Sequence, residues 1–207
     1  MTRAQVFRII RRARRQDKQA DLSGLDLSCL DLQDIDLAFA NLRGADLRYA
    51  WLQNADLRNA HLQEANLQGT WLQHADLRDA DLRGACLRMA NLWGGNLQNA
   101  EMQGADLRDA NLSHANLMRA NLRGAQLQDA DLRGANIDFS CWPLWCDSGG
   151  VIVGARIAYQ LAAHLCAITC KNKNVQVMQA LLRPFAARSH TGRRTSGQGK
   201  PRTRKNR

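Results

Sequence analysis

Proline is missing from residues 20–139, and the whole chain of 207 residues holds only three. Proline removes a backbone donor and fixes φ, so nothing in that stretch is barred from donating its N–H to a neighbouring segment. Long apolar runs are missing as well. The best candidate, residues 151–169, is interrupted by Arg156, Gln160 and His164, which excludes a bilayer-spanning helix. Residues 1–12 contain no uninterrupted apolar stretch, so no secretory signal is expected. The default is a soluble, cytoplasmic protein, bacterial by its character. Catalytic constellations are lacking too. His61, His74 and His114 have no nucleophile or carboxylate dyad arranged around them, so enzyme activity is not expected, and neither is a small-molecule substrate or cofactor.

What the chain does have is repetition. From Ala20 to Phe139 one phrase, Ala-(Asp/Asn)-Leu-X-X, recurs 24 times without a register break. Taking the central Leu as position i, 22 of the 24 are Leu, with Met102 and Ile137 as the others. Position i−2 is Ala in 19 and position i−1 is Asp or Asn in 18 of the 24. A fixed short period means stacked identical units. Five fits neither the helical period nor strand alternation. It fits a coil in which each pentapeptide forms one side, with Leu at i and Ala at i−2 pointing inward. Alanine suits a narrow axis on which four chain segments converge.

Runs such as Ala40-Asn41-Leu42-Arg43-Gly44-Ala45-Asp46-Leu47-Arg48-Tyr49 resemble the pentapeptide-repeat family, over 120 of the 207 residues. The resemblance implies an all-β solenoid, a right-handed quadrilateral β-helix with four pentapeptides per coil and about six coils. At ~4.8 Å per backbone layer the stack would be roughly 29 Å long. Twenty residues per coil has independent support. Eight glycines occupy i+2, and Gly24, Gly44, Gly84, Gly104 and Gly124 share one phase modulo 20. Phe39 and Phe139 share another. The family pattern also implies that Asp/Asn at i−1 satisfies local backbone donors. Some members of the family mimic the shape and charge of DNA, bind type II topoisomerases such as gyrase and protect them from quinolones. That makes a topoisomerase partner one expectation for this chain.

The charge is divided among segments. Residues 1–19 carry seven Lys/Arg and one Asp, residues 20–139 ten Arg against 17 Asp/Glu, and residues 140–207 twelve Lys/Arg and one Asp. The net +10 is therefore the sum of an acidic stack and two basic ends. Those ends raise a further expectation, non-specific nucleic-acid association through phosphates. Base reading is not expected, because residues 189–207 interleave no aromatics with their seven Lys/Arg.

Lapses in the phrase carry the functional signal. Leu25, Leu30 and Ile35 replace the inward Ala on consecutive sides of the first coil, where they are expected to meet an apolar stripe of Val6, Ile9, Ile10 and Ala13 on a helix over residues 4–16. Arg8, Arg11, Arg12 and Arg15 take the other faces of that helix, which reads either as a cap or as a basic arm. Trp51 and Trp71 stand 20 residues apart at i−1, where the phrase needs Asp/Asn. Trp93 falls on the same predicted face with His74 between. Exposed aromatics mark binding surfaces, so Trp51, Trp71, His74 and Trp93 are the candidate protein-binding residues. A column of Asp36, Asp56 and Asp76 beside Arg58 and Arg78 reads either as an electrostatic docking strip or as locally neutralised charge.

After Phe139 the phrase stops. Cys141-Trp142-Pro143-Leu144-Trp145-Cys146 makes an aromatic turn, and two amphipathic helices are expected over 151–169 and from about 172 or 174, forming a C-terminal cap at 140–188. Cys141, Cys146, Cys166 and Cys170 lie in it. Four thiolates could hold zinc tetrahedrally, against the alternative of buried packing thiols. Cys29 and Cys86 carry no assigned chemistry. The organisation read from the sequence is thus a basic N-terminal helix (1–19), a repeat (20–139), a helical cap (140–188) and a basic disordered tail (189–207).

Overall fold

The computed structural model describes residues 1–138. The expected C-terminal cap and tail, Phe139, and Cys141, Cys146, Cys166 and Cys170 lie outside the described residues.

The repeat forms a ladder of 20 isolated parallel bridges, every one joining position i−1 to its equivalent 20 residues on, from Asp21↔Asn41 to Asn116↔Asn136. Four columns of five bridges each therefore link six stacked coils, and every coil has four sides. One pentapeptide shows why the phrase folds this way. Ala40 N donates to Leu37 O at 3.0 Å, closing the turn. Asn41 N donates to Ala20 O below at 2.8 Å. Leu42 N and Gly44 N donate to His61 O and Gln63 O above, at 2.8 and 2.9 Å. The fifth donor, Arg43 N, is satisfied within the repeat by Asn41 Oδ1 at 3.3 Å. All five N–H groups are used, so a proline in this repeat would cost a bond at any position.

The fifth bond explains position i−1. All 18 Asp/Asn there accept the N–H two residues on, from Ser23 N to Asp21 at the start to Asp138 N to Asn136 at the end. This is an Asx turn repeated along the stack. In five of the six repeats without Asp/Asn at i−1, position i+1 is Gln: Gln53, Gln63, Gln73, Gln103 and Gln128. These same five have a buried Oε1 with no donor from another residue.

Position i+2 has its own rule. Every one of the 23 described residues there has φ between +55° and +72°, whether Gly or not. A left-handed third residue is what a type II turn requires. Glycine at i+2 thus answers a demand made on all four sides, and its shared phase is not required by the backbone. Glycine, Asn and Asp together fill most of these slots because they reach this region at least cost. Inward, the Leu column is fully buried and the Ala column nearly so. Thr70, the single polar inward residue, donates its hydroxyl to Leu47 O at 2.9 Å.

Helix α1 spans Arg3–Arg15. Its start is a capping box: Gln5 N donates to Thr2 Oγ1 and Thr2 N to Gln5 Oε1. It ends in a Schellman turn, with Lys18 N donating to Ala13 O, Asp17 N to Arg14 O, and Asp17 at φ 52°. Val6, Ile10 and Ala13 are buried. Arg3 pairs with Asp31 at 2.9 Å and donates to Gln33 O; Arg14 pairs with Asp36 at 2.5 Å and donates to Asp36 O. These half-exposed pairs add little stability, but they set where the helix lies on the first coil. They anchor it beside Ile35, which is 1% exposed. Leu25 and Leu30, on the other two sides, are only half-buried. The three substituted Ala slots are therefore not equally covered. Their turns are also looser: the closing bonds to Leu25, Leu30 and Ile35 are 3.4 Å, against 2.9–3.1 Å wherever the inward residue is Ala, Thr or Gly.

Candidate protein-binding face

Each side of the stack presents three outward columns: i−1, i+1 and i+2. On three sides these columns hold Arg and Asp/Glu in nearly every coil. The column Asp36, Asp56, Asp76 is an example. Asp36 pairs with Arg14, and Asp56 and Asp76 are each gripped by the Arg two residues on, Arg58 at 2.6 Å and Arg78 at 2.5 Å. The same fork recurs at Asp46–Arg48, Asp81–Arg83, Asp106–Arg108 and Asp131–Arg133. Hydrogen bonds from the paired guanidinium hold the carboxyls of Asp46, Asp56, Asp106 and Asp131 below the usual range. At Asp76 and Asp81 burial acts in the opposite direction, yet the bonds from Arg78 and Arg83 outweigh it. The charge on that column is locally neutralised, as the second of its two readings has it.

The remaining side differs. Between residues 51 and 114 its four coils read Trp51-Leu52-Gln53-Asn54, Trp71-Leu72-Gln73-His74, Asn91-Leu92-Trp93-Gly94 and Asn111-Leu112-Ser113-His114, without one Asp, Glu, Lys or Arg. Trp51, Trp71 and Trp93 are 48%, 46% and 41% exposed. Trp51 and Trp71 are bridge partners in adjacent layers. At i−1 neither can make the Asx bond, so both positions forgo it. Trp93 keeps the bond, its N donating to Asn91 Oδ1 at 3.2 Å.

The four residues singled out from the sequence, Trp51, Trp71, His74 and Trp93, lie on this one side. Two of them touch: the His74 and Trp93 rings meet edge to face with centroids 4.7 Å apart. A fifth residue belongs with them. His114 approaches the other edge of Trp93, centroids 6.3 Å apart at 74°. Both imidazoles depend on a glycine one coil on. A Cβ at Gly94 would stand 2.9 Å from His74 Nδ1, and one at Gly134 2.7 Å from His114 Nδ1. The i+2 column thus alternates His74, Gly94, His114, Gly134, a signal readable in the sequence once it is folded at 20 residues.

Chemically this side offers an exposed aromatic surface without Asp, Glu, Lys or Arg between residues 51 and 114. Among the described residues no group of His, Cys, Asp or Glu is arranged to hold a metal, and no helix is long and apolar enough to cross a membrane.

The family model described as pentapeptide repeats matches the chain in eight copies, over residues 40–79, 60–99, 75–113 and 100–138. The chain belongs to the pentapeptide-repeat family. Solved structures of other pentapeptide-repeat proteins resemble it. One, from the thylakoid lumen of Arabidopsis thaliana, is 34% identical, covering 53% of this chain and 69% of that one, with a TM-score of 0.27. HetL of Nostoc sp. strain PCC 7120, involved in regulating heterocyst differentiation, is 26% identical over 64% of this chain and 73% of its own, TM-score 0.30. QnrB1, a plasmid-mediated fluoroquinolone resistance protein, is 22% identical over 72% and 85%, TM-score 0.44. No curated protein matches. Membership rests on the repeat match and on sequence identity, and these superpositions add no functional argument. Pentapeptide-repeat proteins are in general non-enzymatic structural or binding proteins.

Proposed function

We propose that this pentapeptide-repeat protein is a non-catalytic scaffold that binds a protein partner through the side carrying Trp51, Trp71, His74, Trp93 and His114. The reading includes a right-handed wind of the six coils and a helical cap over residues 140–188. One observation carries it. The side that concentrates the exposed tryptophans is also the side with no charged residue in four successive coils. Aromatic enrichment with charge depletion is the composition of an interface core. At Trp51 and Trp71 it comes at the expense of a backbone bond that all 18 Asp/Asn repeats make.

Affinity capture with the full chain and with Trp51→Asn/Trp71→Asn tests this. The double substitution restores the repeat phrase without touching the inward columns. A partner held by the wild type and retained at least tenfold less by the variant is expected, with the stack still folded by circular dichroism. Equal retention by both proteins removes the proposal.

The alternative partner, a type II topoisomerase recognising a DNA-like surface, needs an uncompensated negative field. Eight of the ten i−1 aspartates are ion-paired with Arg, which supports the aromatic side instead. Supercoiling assays at micromolar protein separate the two. Inhibition of gyrase, or its protection from a quinolone, by the Trp51→Asn/Trp71→Asn variant would favour mimicry.

A further inference from the structure

Helix α1 has two faces with different work. Val6, Ile10 and Ala13 are buried, and Arg3 and Arg14 on the flanks are committed to Asp31 and Asp36. On the opposite face Arg8, Arg11, Arg12 and Arg15 follow the i, i+3, i+4, i+7 spacing of a single helical stripe. All four are exposed, and among the described residues none has an acidic partner. Capping the stack requires the first face only. The second is unfavourable for the helix itself, because Arg8–Arg11, Arg8–Arg12, Arg11–Arg15 and Arg12–Arg15 are like-charge neighbours. The helix dipole accounts for Arg12 and Arg15, which stand in the last turn. It does not account for Arg8 and Arg11. Nor does a helix built for its dipole leave its first turn without an acid, as this one does.

We propose that this arginine stripe docks the phosphate backbone of duplex nucleic acid without reading sequence. Guanidinium forks match phosphate oxygens. An anionic lipid surface presents related chemistry, but an amphipathic helix binds a bilayer by inserting its apolar face, and here that face is buried. Single strands are disfavoured because no aromatic side chain lies on the stripe for bases to stack on. The stack as a whole is net acidic, with 17 Asp/Glu against ten Arg over residues 20–139, so its sides do not attract a polyanion. Seven residues at ~1.5 Å rise give a stripe roughly 10 Å long. Against one phosphate per ~3.4 Å of axis on each strand, that length reaches about three phosphates.

The test is salt-dependent binding of the full chain to a fluorescein-labelled duplex of arbitrary sequence, read by anisotropy. The comparison is with Arg8→Gln/Arg11→Gln/Arg12→Gln/Arg15→Gln and with an equal charge loss on the stack, Arg43→Gln/Arg88→Gln/Arg119→Gln/Arg123→Gln. The helix variant should lower the slope of log Kobs against log salt by about 2–3, from ~0.9 per phosphate lost. The stack variant should leave it unchanged. Replacing the same four helix arginines by Lys should keep most of the slope, since Lys retains the charge. If the Gln variant melts at a lower temperature, Arg8→Gln/Arg11→Gln is compared instead, with about half the effect expected. The proposal is overturned by an unchanged slope, by equal losses in the helix and stack variants, or by no binding of duplex by the wild type. Capture on phosphatidylserine vesicles with no binding to duplex overturns it in favour of lipid.

Discussion

Replacing Asp106 separates the two roles of the i−1 carboxylate. Asp106 Oδ1 accepts Arg108 N at 3.1 Å and Arg108 Nε at 2.8 Å, while Oδ2 accepts Arg108 NH2 at 2.6 Å. Asp106→Asn keeps an amide oxygen for the backbone bond and loses the ion pair. The Arg108 side chain is about 40% exposed, and an exposed pair contributes about 0.2–1 kcal/mol. Asp106→Ala loses the pair and also leaves Arg108 N without its acceptor. The loss of a comparable capping oxygen costs ~1 kcal/mol, with a range of about 0.5–2. The expected ordering is wild type, then Asn, then Ala, with Ala about 1 kcal/mol below Asn in urea unfolding. The sequence has run this exchange already, since Asp and Asn share the i−1 position and no Ala occurs there. An Asn variant as unstable as the Ala variant would show that charge, and not the backbone acceptor, selects the residue, and the account of the repeat phrase would fail.

The remaining predictions concern pH, the ends and the turns. The carboxyls of Asp46, Asp56, Asp76, Asp81, Asp106 and Asp131 are all depressed on folding, so the stability they add is full above the unfolded carboxylate pKa, ~3.9, and is lost as pH falls through their lower folded values. Melting temperature should be flat from neutral pH to about 5 and drop steeply below about 4; an unchanged melt at pH 3 refutes this. Ile35→Asp should detach α1 and cost more than Leu30→Asp, because Ile35 is buried and Leu30 half-exposed; equal protease resistance of the N-terminal segment in both would contradict the placement. Gly104→Ala should cost about 1–2 kcal/mol for its left-handed φ, and Gly94→Ala somewhat more because its methyl meets His74. In a His74→Ala background the two should cost the same; a difference that persists would assign it elsewhere. Metal analysis of the purified protein is expected to find one zinc per chain if Cys141, Cys146, Cys166 and Cys170 form a site, and none if they are packing thiols.

Much of the architecture could be read from the chain, because a five-residue period admits few solutions. The inward Leu and Ala columns and the helical stripe of Val6, Ile9, Ile10 and Ala13 followed from periodicity alone, although Ile9, at the edge of the stripe, is only half-buried. The left-handed i+2 position was equally open to reading: Gly, Asn54, Asn59, Asn99, Asp34, Asp79, Asp109 and Asp129 concentrate there. It is obscured because Phe39, Tyr49, Met89 and Arg119 adopt the same φ, tolerated by a stack that fixes the backbone from above and below. The unequal cover of Leu25, Leu30 and Ile35 was not open to reading. It depends on where Arg3 and Arg14 find their carboxylates, and any of several first-coil aspartates has suitable chemistry.

The candidate site divides in the same way. Trp51, Trp71, His74 and Trp93 stood out as departures from the phrase. His114 did not, because a histidine at an outward slot is unremarkable until the coil brings it to the edge of Trp93. The absence of charge from four successive coils of one side is likewise invisible along the chain, where arginines and aspartates recur every few residues. The sequence by itself determined the period, the inward residues and the chemistry offered at each outward slot, since each depends on local hydrogen bonding and side-chain volume. Only the tertiary structure decided which outward slots share a side and which arginines of α1 are spent on the first coil, because both depend on residues 20 or more positions apart being stacked in register.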